Sequence, residues 1–488
     1  MSQATTSQTR PWYATPPVGL NPDRRVLMAA ATLAVVCDLA FRSGLSTLSG
    51  AALLIAAVAA LLTSGRIINP QAIGLTVFAG MFALWLPVRT SPWLIPLDLF
   101  AAFGLLAAAA SYARGGNVLN LTMPGLCTRG LHALSHGLHG PLFGVGALQA
   151  LPGGGVLSKR AAIPFFRGVF LAAPLVLILT ALLTSADAVF RSFFNFDLLQ
   201  VIIHLDFLGI GAWYALGLLR GASSAPGTPL PPARRPLGEL ECMVILGALD
   251  LLFAAFALAQ VVAASQGGRR VINTSGLTYA EHARSGFFQL LAVASITLAT
   301  LLVVRSTVNL ENPRSRRRFV VMSETAIALT LVIVFTAFRR LGLYTDAYGL
   351  TMLRLYVGVS ILSIGLVFVL LGCAVAGFWS KREWLVPAVL TSTLLVLLAL
   401  NIMNPEARVV RYNVARAERG LRFDLSPLLR LSDDATPALI KSLPRLSETD
   451  QVIVRERLGC GRDSPRRKGW ASFNQSRHNA DLVRARVC

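Results

Sequence analysis

Three groups of residues in this 488-residue chain have types and spacings that suggest chemistry. The first is in RGLHALSHGLHG, where His132, His136 and His139 recur at i, i+4 and i+7. That spacing sets three imidazoles along one stripe of a helix, and three histidines can hold zinc. Gly130, Gly137 and Gly140 weaken such a helix, and no carboxylate lies nearby in the chain. An amphipathic surface segment is the plainer reading. No metal and no other cofactor is expected.

The second group consists of polar residues inside apolar runs. His204 and Asp206 lie in VIIHLDFLGIGAW, Asp250 and Gln260 in one long apolar run, and Glu324 early in another. A carboxylate in hydrocarbon costs at least a few kcal/mol, so each must face protein, water or a partner. Asp250 and Gln260 are nearly three turns apart and share one side of a helix. His204 and Asp206 point to different faces, so they are not expected to pair with each other. Polar contacts between helices explain these residues most simply. A proton or ion path through Asp250, Asp206 and His204 is the functional alternative.

The third group opens with RRLGLYTDAYGLTMLRLY, residues 339–356. Thr345 and Asp346 have the chemistry to cap a following helix, with Tyr348, Met352 and Tyr356 at i, i+4 and i+8 on one face. Read as a membrane-surface turn, this is an aromatic belt with a snorkelling arginine. Read functionally, it is the mouth of a pocket in which Arg340 or Arg354 meets an anion. Further signatures are absent: the chain has no HExxH, no GxSxG elbow, no GxGxxG after a strand, and no glycine before Lys159 of the kind a phosphate loop needs. Six cysteines without CxxC spacing suggest neither a redox motif nor a zinc knuckle.

The elements that carry these residues are apolar. Hydrophobic residues make up 54% of the chain and charged residues only 14%, against roughly a quarter in a soluble domain. Eleven segments have the character of membrane helices, beginning with Val26–Phe41 and ending with Leu385–Met403. The fold class is therefore all-α, a polytopic transmembrane helix bundle of about 11 spans with a small helical C-terminal tail. Its parts are a cytoplasmic N-tail (1–25), spans 1–4 (26–112), a cytoplasmic loop (113–166), spans 5–11 (167–403) and a basic tail (404–488). The net charge of +21 fits topology and anionic lipid better than nucleic acid, since no nucleic-acid-binding module is present. With the N-terminus inside, inner segments hold nineteen basic residues and outer ones nine. That orientation puts the tail outside. Within the tail, Ser432 with Asp433 and Asp434 suggests one helix start, and Ser447 with Asp450 a capping box for another.

Three blocks together carry a resemblance. TYAEHARSGFFQLLAVA (278–294), LYTDAYGLTMLRLY (343–356) and the pair NPEARVVRYNVAR with LSDDATPALI, joined by SADAVF (185–190), resemble a bacterial membrane family known as domain of unknown function number 4173, related to number 4153. The likeness implies no activity, cofactor or catalytic residue. It does imply that the polar blocks gather at the outer ends of the eighth to eleventh spans. The expected candidates there are Tyr279, Glu281, Arg284, Tyr344, Tyr348, Arg354, Asn404 and Arg411, binding a ligand, lipid or envelope protein at a bacterial inner membrane. The alternatives are a proton-coupled permease and a membrane enzyme acting on a lipid-linked envelope substrate with Glu281 as acid/base. An enzyme is the less favoured of these.

Overall fold

The computed structural model describes residues 24–65, 67–149, 198–224, 238–265, 287–307, 312–378, 383–421, 423–458 and 469–487. Among them there is no strand. Among the described residues, six helices are long and apolar enough to cross a membrane, and three shorter ones are also apolar, as befits a membrane-embedded protein. The Val169–Thr184 segment expected to be the fifth span lies outside the described residues. The chain divides into two compact units.

The first unit comprises residues 1–118, 123–230 and 465–478. Its described helices are α1 (Arg24–Ser43), α2 (Leu48–Ser64), α3 (Pro70–Ala83), α4 (Leu94–Tyr112), α5 (Met123–Leu138), α6 (Gly140–Gln149) and α7 (Leu198–Ser223). α1 packs along α7, and small residues let the two backbones approach. A Cβ on Gly211 of α7 would stand 2.5 Å from Cys37 Cβ and 2.8 Å from Ala34 Cα. The region expected to be a cytoplasmic loop is helical in α5 and α6, and both pack against α7. Asn474 belongs to this unit and is buried. Its Nδ2 donates to Ser46 O at 2.7 Å, in the α1–α2 turn, and to Leu86 O and Arg89 O at 3.2 and 2.9 Å, in the α3–α4 connection. One tail residue thus serves two turns on the same face.

The second unit comprises residues 119–122, 231–464 and 479–488. Its membrane-type helices are α8 (Glu239–Ser265), α9 (Phe287–Thr307), α10 (Pro313–Tyr348), α11 (Met352–Val375) and α12 (Leu385–Met403). Leu246, Leu301, Ile327, Phe368 and Leu371 form one buried cluster, and Phe253, Ile333 and Ile361 anchor another. The tail helices that follow are α13 (Pro405–Glu418), α14 (Ser426–Leu429), α15 (Thr436–Ser442) and α16 (Glu448–Arg457), with α17 (Gln475–Val487) at the C-terminus. α16 starts as expected: Ser447 Oγ accepts from Asp450 N at 3.2 Å.

The 339–356 stretch differs from expectation. α10 runs 36 residues, so Thr345 and Asp346 lie in its last turn instead of capping the next helix. Thr345 Oγ1 donates back to Leu341 O at 2.8 Å. The cap of α11 is Thr351, whose Oγ1 accepts from Arg354 N. Gly349 separates the two helices with φ +81, a left-handed value at which a side chain is strained. Tyr348 and Tyr356 therefore sit on different helices.

Candidate functional site

In the second unit the polar blocks form a clamp between the tail helix α13 and the α10–α11 turn. A helix end leaves its last carbonyls without intrahelical donors. At the end of α10 two arginines from elsewhere in the sequence supply those donors. Arg416 of α13, 5% exposed, donates through Nη1 to Thr345 O at 3.4 Å and to Asp346 O, and through Nη2 to Ala347 O at 3.3 Å. Arg354 of α11 donates to Tyr348 O at 3.2 Å and to Gly349 O. Its guanidinium also lies 4.3 Å from the centre of the Tyr344 ring and 5.9 Å from that of Tyr348. Both cations meet the negative end of the α10 dipole.

Side-chain amides complete the clamp. Asn413 pairs with the Leu350 backbone in both directions: Oδ1 accepts from Leu350 N at 3.0 Å and Nδ2 donates to Leu350 O at 2.7 Å. A Cβ on Gly349 would stand 2.5 Å from that Oδ1. Tyr412 Oη donates to Asp346 Oδ1 at 2.9 Å; burial first, then this carboxylate, raises the phenol above its ordinary pKa. Asn404, in the left-handed region at φ 54, accepts from Ala407 N and donates to Asp434 O at 3.0 Å. Buried Glu406 accepts from Ser432 N and Oγ, both at 2.7 Å. The NPEAR and LSDDATPAL blocks are thus held together by their own polar atoms.

The sequence-expected candidates divide accordingly. Tyr344, Tyr348, Arg354 and Asn404 are brought into the clamp, where Arg354 and Asn404 spend bonds on backbone. Arg411 instead points outward. It shares an exposed stripe of α13 with Arg408 and Arg419, while Val409, Val410, Val414 and Arg416 are buried. Glu418 on the same stripe is 3.5 Å from Arg445. Tyr348 is 43% exposed beside the clamp. Tyr279, Glu281 and Arg284 lie outside the described residues.

The polar residues of the apolar helices take varied positions. His204 Nδ1 of α7 lies 2.7 Å from Asp38 Oδ1 of α1, and Arg42 Nη2 is 2.9 Å from Asp38 Oδ2. Asp38 was absent from the expected set. It is the buried partner that lets a histidine and a carboxylate share an apolar bundle. Asp206 is half-buried on another face of α7, as its spacing of two from His204 requires. Asp250 and Gln260 are half-buried on α8, and Asp250 Oδ1 has no hydrogen-bond partner among the described residues. Glu324 of α10 faces Gly372 of α11, where a Cβ would stand 3.3 Å from its Oε2.

The three histidines do not converge. His136 is buried with Nδ1 3.4 Å from Arg220 Nη1, His139 Nδ1 bonds to Ser135 O at 2.8 Å, and His132 Nδ1 has no partner among the described residues. Among the described residues no group of three or more metal-type side chains is close enough to hold an ion. Two of the histidines do share a cavity, whose lining includes Arg129, His132, His136 and Tyr214. Burial, with Arg220 next, drives the His136 pKa down to about 4, and burial with Arg129 lowers that of His132.

No curated protein and no solved structure matches the chain. Residues 72–442, by contrast, match the family model of the domain of unknown function DUF4153, a match that runs from α3 to the end of α15 and takes in the whole clamp, and the chain belongs to that family.

Proposed function

We propose that this is a non-enzymatic protein of a bacterial plasma membrane, with about eleven spans, a cytoplasmic N-terminus and an extracytoplasmic tail, which binds anionic lipid headgroups on its outer face. The observation that carries this reading is the arrangement of α13. Its buried side is committed to the α10–α11 turn, and its exposed side presents Arg408 and Arg411, with exposed Arg419 just past its end. A helix fixed where α12 ends and carrying a cationic stripe has the composition of a headgroup-binding surface. The Asn474 contacts support an outward tail, because the α1–α2 and α3–α4 turns both face outward when the N-terminus is inside.

Each arginine near an anionic surface contributes about 1 kcal/mol. Titration of the purified chain with dihexanoyl phosphatidylglycerol is therefore expected to raise its melting temperature more than dihexanoyl phosphatidylcholine does. The Arg408→Ala/Arg411→Ala variant should bind the anionic lipid roughly 20- to 30-fold more weakly. Equal responses to the two lipids, or a double variant that binds like the parent, would refute the proposal.

A further inference from the structure

In the first unit, the cavity between α4, α5 and α7 has a chemistry that the outer clamp does not share. It measures about 110 Å³, against the roughly 10–15 Å³ that one water needs. One wall is small and apolar, formed by Ala107, Ala110, Gly217, Leu218 and Gly221. The polar lining residues are Ser111, Thr128, Arg129, His132, His136 and Tyr214, and the described lining includes no Asp or Glu.

The positive charge is fixed in position. Arg129 lies 3.7 Å from the centre of the Tyr112 ring and donates through Nη1 to Ser111 O and Oγ, both at 2.9 Å. A second guanidinium, Arg220, stands behind His136. The two histidines add hydrogen-bonding capacity, and burial lowers the pKa of both. Two lining groups have buried polar atoms that meet no partner among the described residues: Tyr214 Oη and His132 Nδ1. The Tyr214 side chain is held edge-on against Phe103, with ring centres 5.1 Å apart. A buried hydroxyl without a partner is costly, and a ligand oxygen would relieve that cost.

We infer that this cavity binds an oxyanion carried on a short apolar stem, with Arg129 supplying charge, Tyr214 and His132 hydrogen bonds, and the Ala107–Ala110 wall receiving the stem. A free alkyl phosphate and a lipid headgroup share this chemistry. Cationic ligands are disfavoured, because the charged lining residue is an arginine and the described lining holds no carboxylate.

The full-length protein in detergent is titrated with butyl phosphate, inorganic phosphate and dihexanoyl phosphatidylglycerol, with melting temperature and calorimetric heat as readouts. Butyl phosphate is expected to bind, and inorganic phosphate to bind more weakly for want of the stem. Tyr214→Phe, which keeps the ring and removes only the hydroxyl, should weaken binding about tenfold, and Arg129→Gln should weaken it further. His132→Gln provides a second reading should the Arg129 variant fail to fold. Binding of the lipid alone, lost in Tyr214→Phe, supports the cavity and identifies a headgroup as its occupant. The inference is overturned if none of the three probes binds, or if binding is unchanged in both Tyr214→Phe and His132→Gln. The Arg408→Ala/Arg411→Ala variant should leave this Tyr214-dependent binding intact, which separates the cavity from the outer face.

Discussion

Replacing Arg416 with alanine is expected to lower the stability of the tail-bearing unit by about 3 kcal/mol and to release α13 from the α10–α11 turn. The last carbonyls of a helix lack intrahelical donors; here the Gly349 N–H caps Thr345 O at 2.8 Å, and the buried Arg416 guanidinium serves Asp346 and Ala347 with a longer contact to Thr345. Hydrogen bonds to a charged group contribute about 1.5–3 kcal/mol, and a cation at a partly buried helix C-terminus up to about 2 kcal/mol. The effects overlap, so their sum is an upper bound. Alanine also takes the guanidinium donor away from the Asp346 and Ala347 carbonyls. Arg416→Lys should recover only part of the loss, because an ammonium cannot present a planar fork to three acceptors. The comparison is made by denaturant unfolding of the purified protein, with proteolysis within 405–458 as a local readout. A change under about 0.5 kcal/mol, the usual range for an ordinary surface site, would show that the clamp contributes little.

Acidification is expected to weaken the first unit through His136. Its folded pKa of about 4 lies below the ordinary 6.5, so between those values the unfolded chain binds the proton that the folded chain excludes. Stability therefore falls as pH drops through 6.5 and continues to fall towards 4. From pH 7.5 to pH 5 the loss is about 2 kcal/mol. The His132 pKa is lowered as well and acts in the same direction. His136→Gln should remove about 2 kcal/mol of the pH-dependent difference while keeping a polar side chain against Arg220. The measurement is the melting temperature of parent and variant across this range in one detergent. Parallel curves would mean that His136 takes up its proton in the folded protein without penalty.

Much of the fold was legible in the sequence because hydrocarbon imposes length and apolarity on the helices, and these can be read without knowing any contact. Local start signals were equally readable. Ser447 with Asp450 marks α16, and three Asn-Pro pairs, at 69–70, 312–313 and 404–405, each start a helix with Asn accepting from a nearby N–H and Pro in the first turn. The end of α10 was not legible. Its last ten residues are charged and aromatic, and they stay helical because Arg416, some 70 positions away, satisfies their carbonyls. Distance along the chain hid the Asp38–His204 pair too, whose members are 166 positions apart. For the histidines, i, i+4, i+7 spacing gave a shared stripe. The glycine contact of the α5–α6 corner with α7 then buries His136, while His139 bonds within its own turn. Arg354 illustrates the general difficulty: a guanidinium near a membrane surface reads the same whether it awaits a ligand or caps a helix.

The central requirement is that the tail helix, docked on the α10–α11 turn, lies on the outer face as proposed. A membrane-impermeant maleimide applied to intact cells tests this directly, with Arg411→Cys in a background lacking the other cysteines and, in parallel, a protein retaining only the exposed Cys127 of α5. The account predicts that Arg411→Cys is labelled in intact cells and Cys127 only after permeabilisation. Labelling of Arg411→Cys solely in permeabilised cells would contradict it.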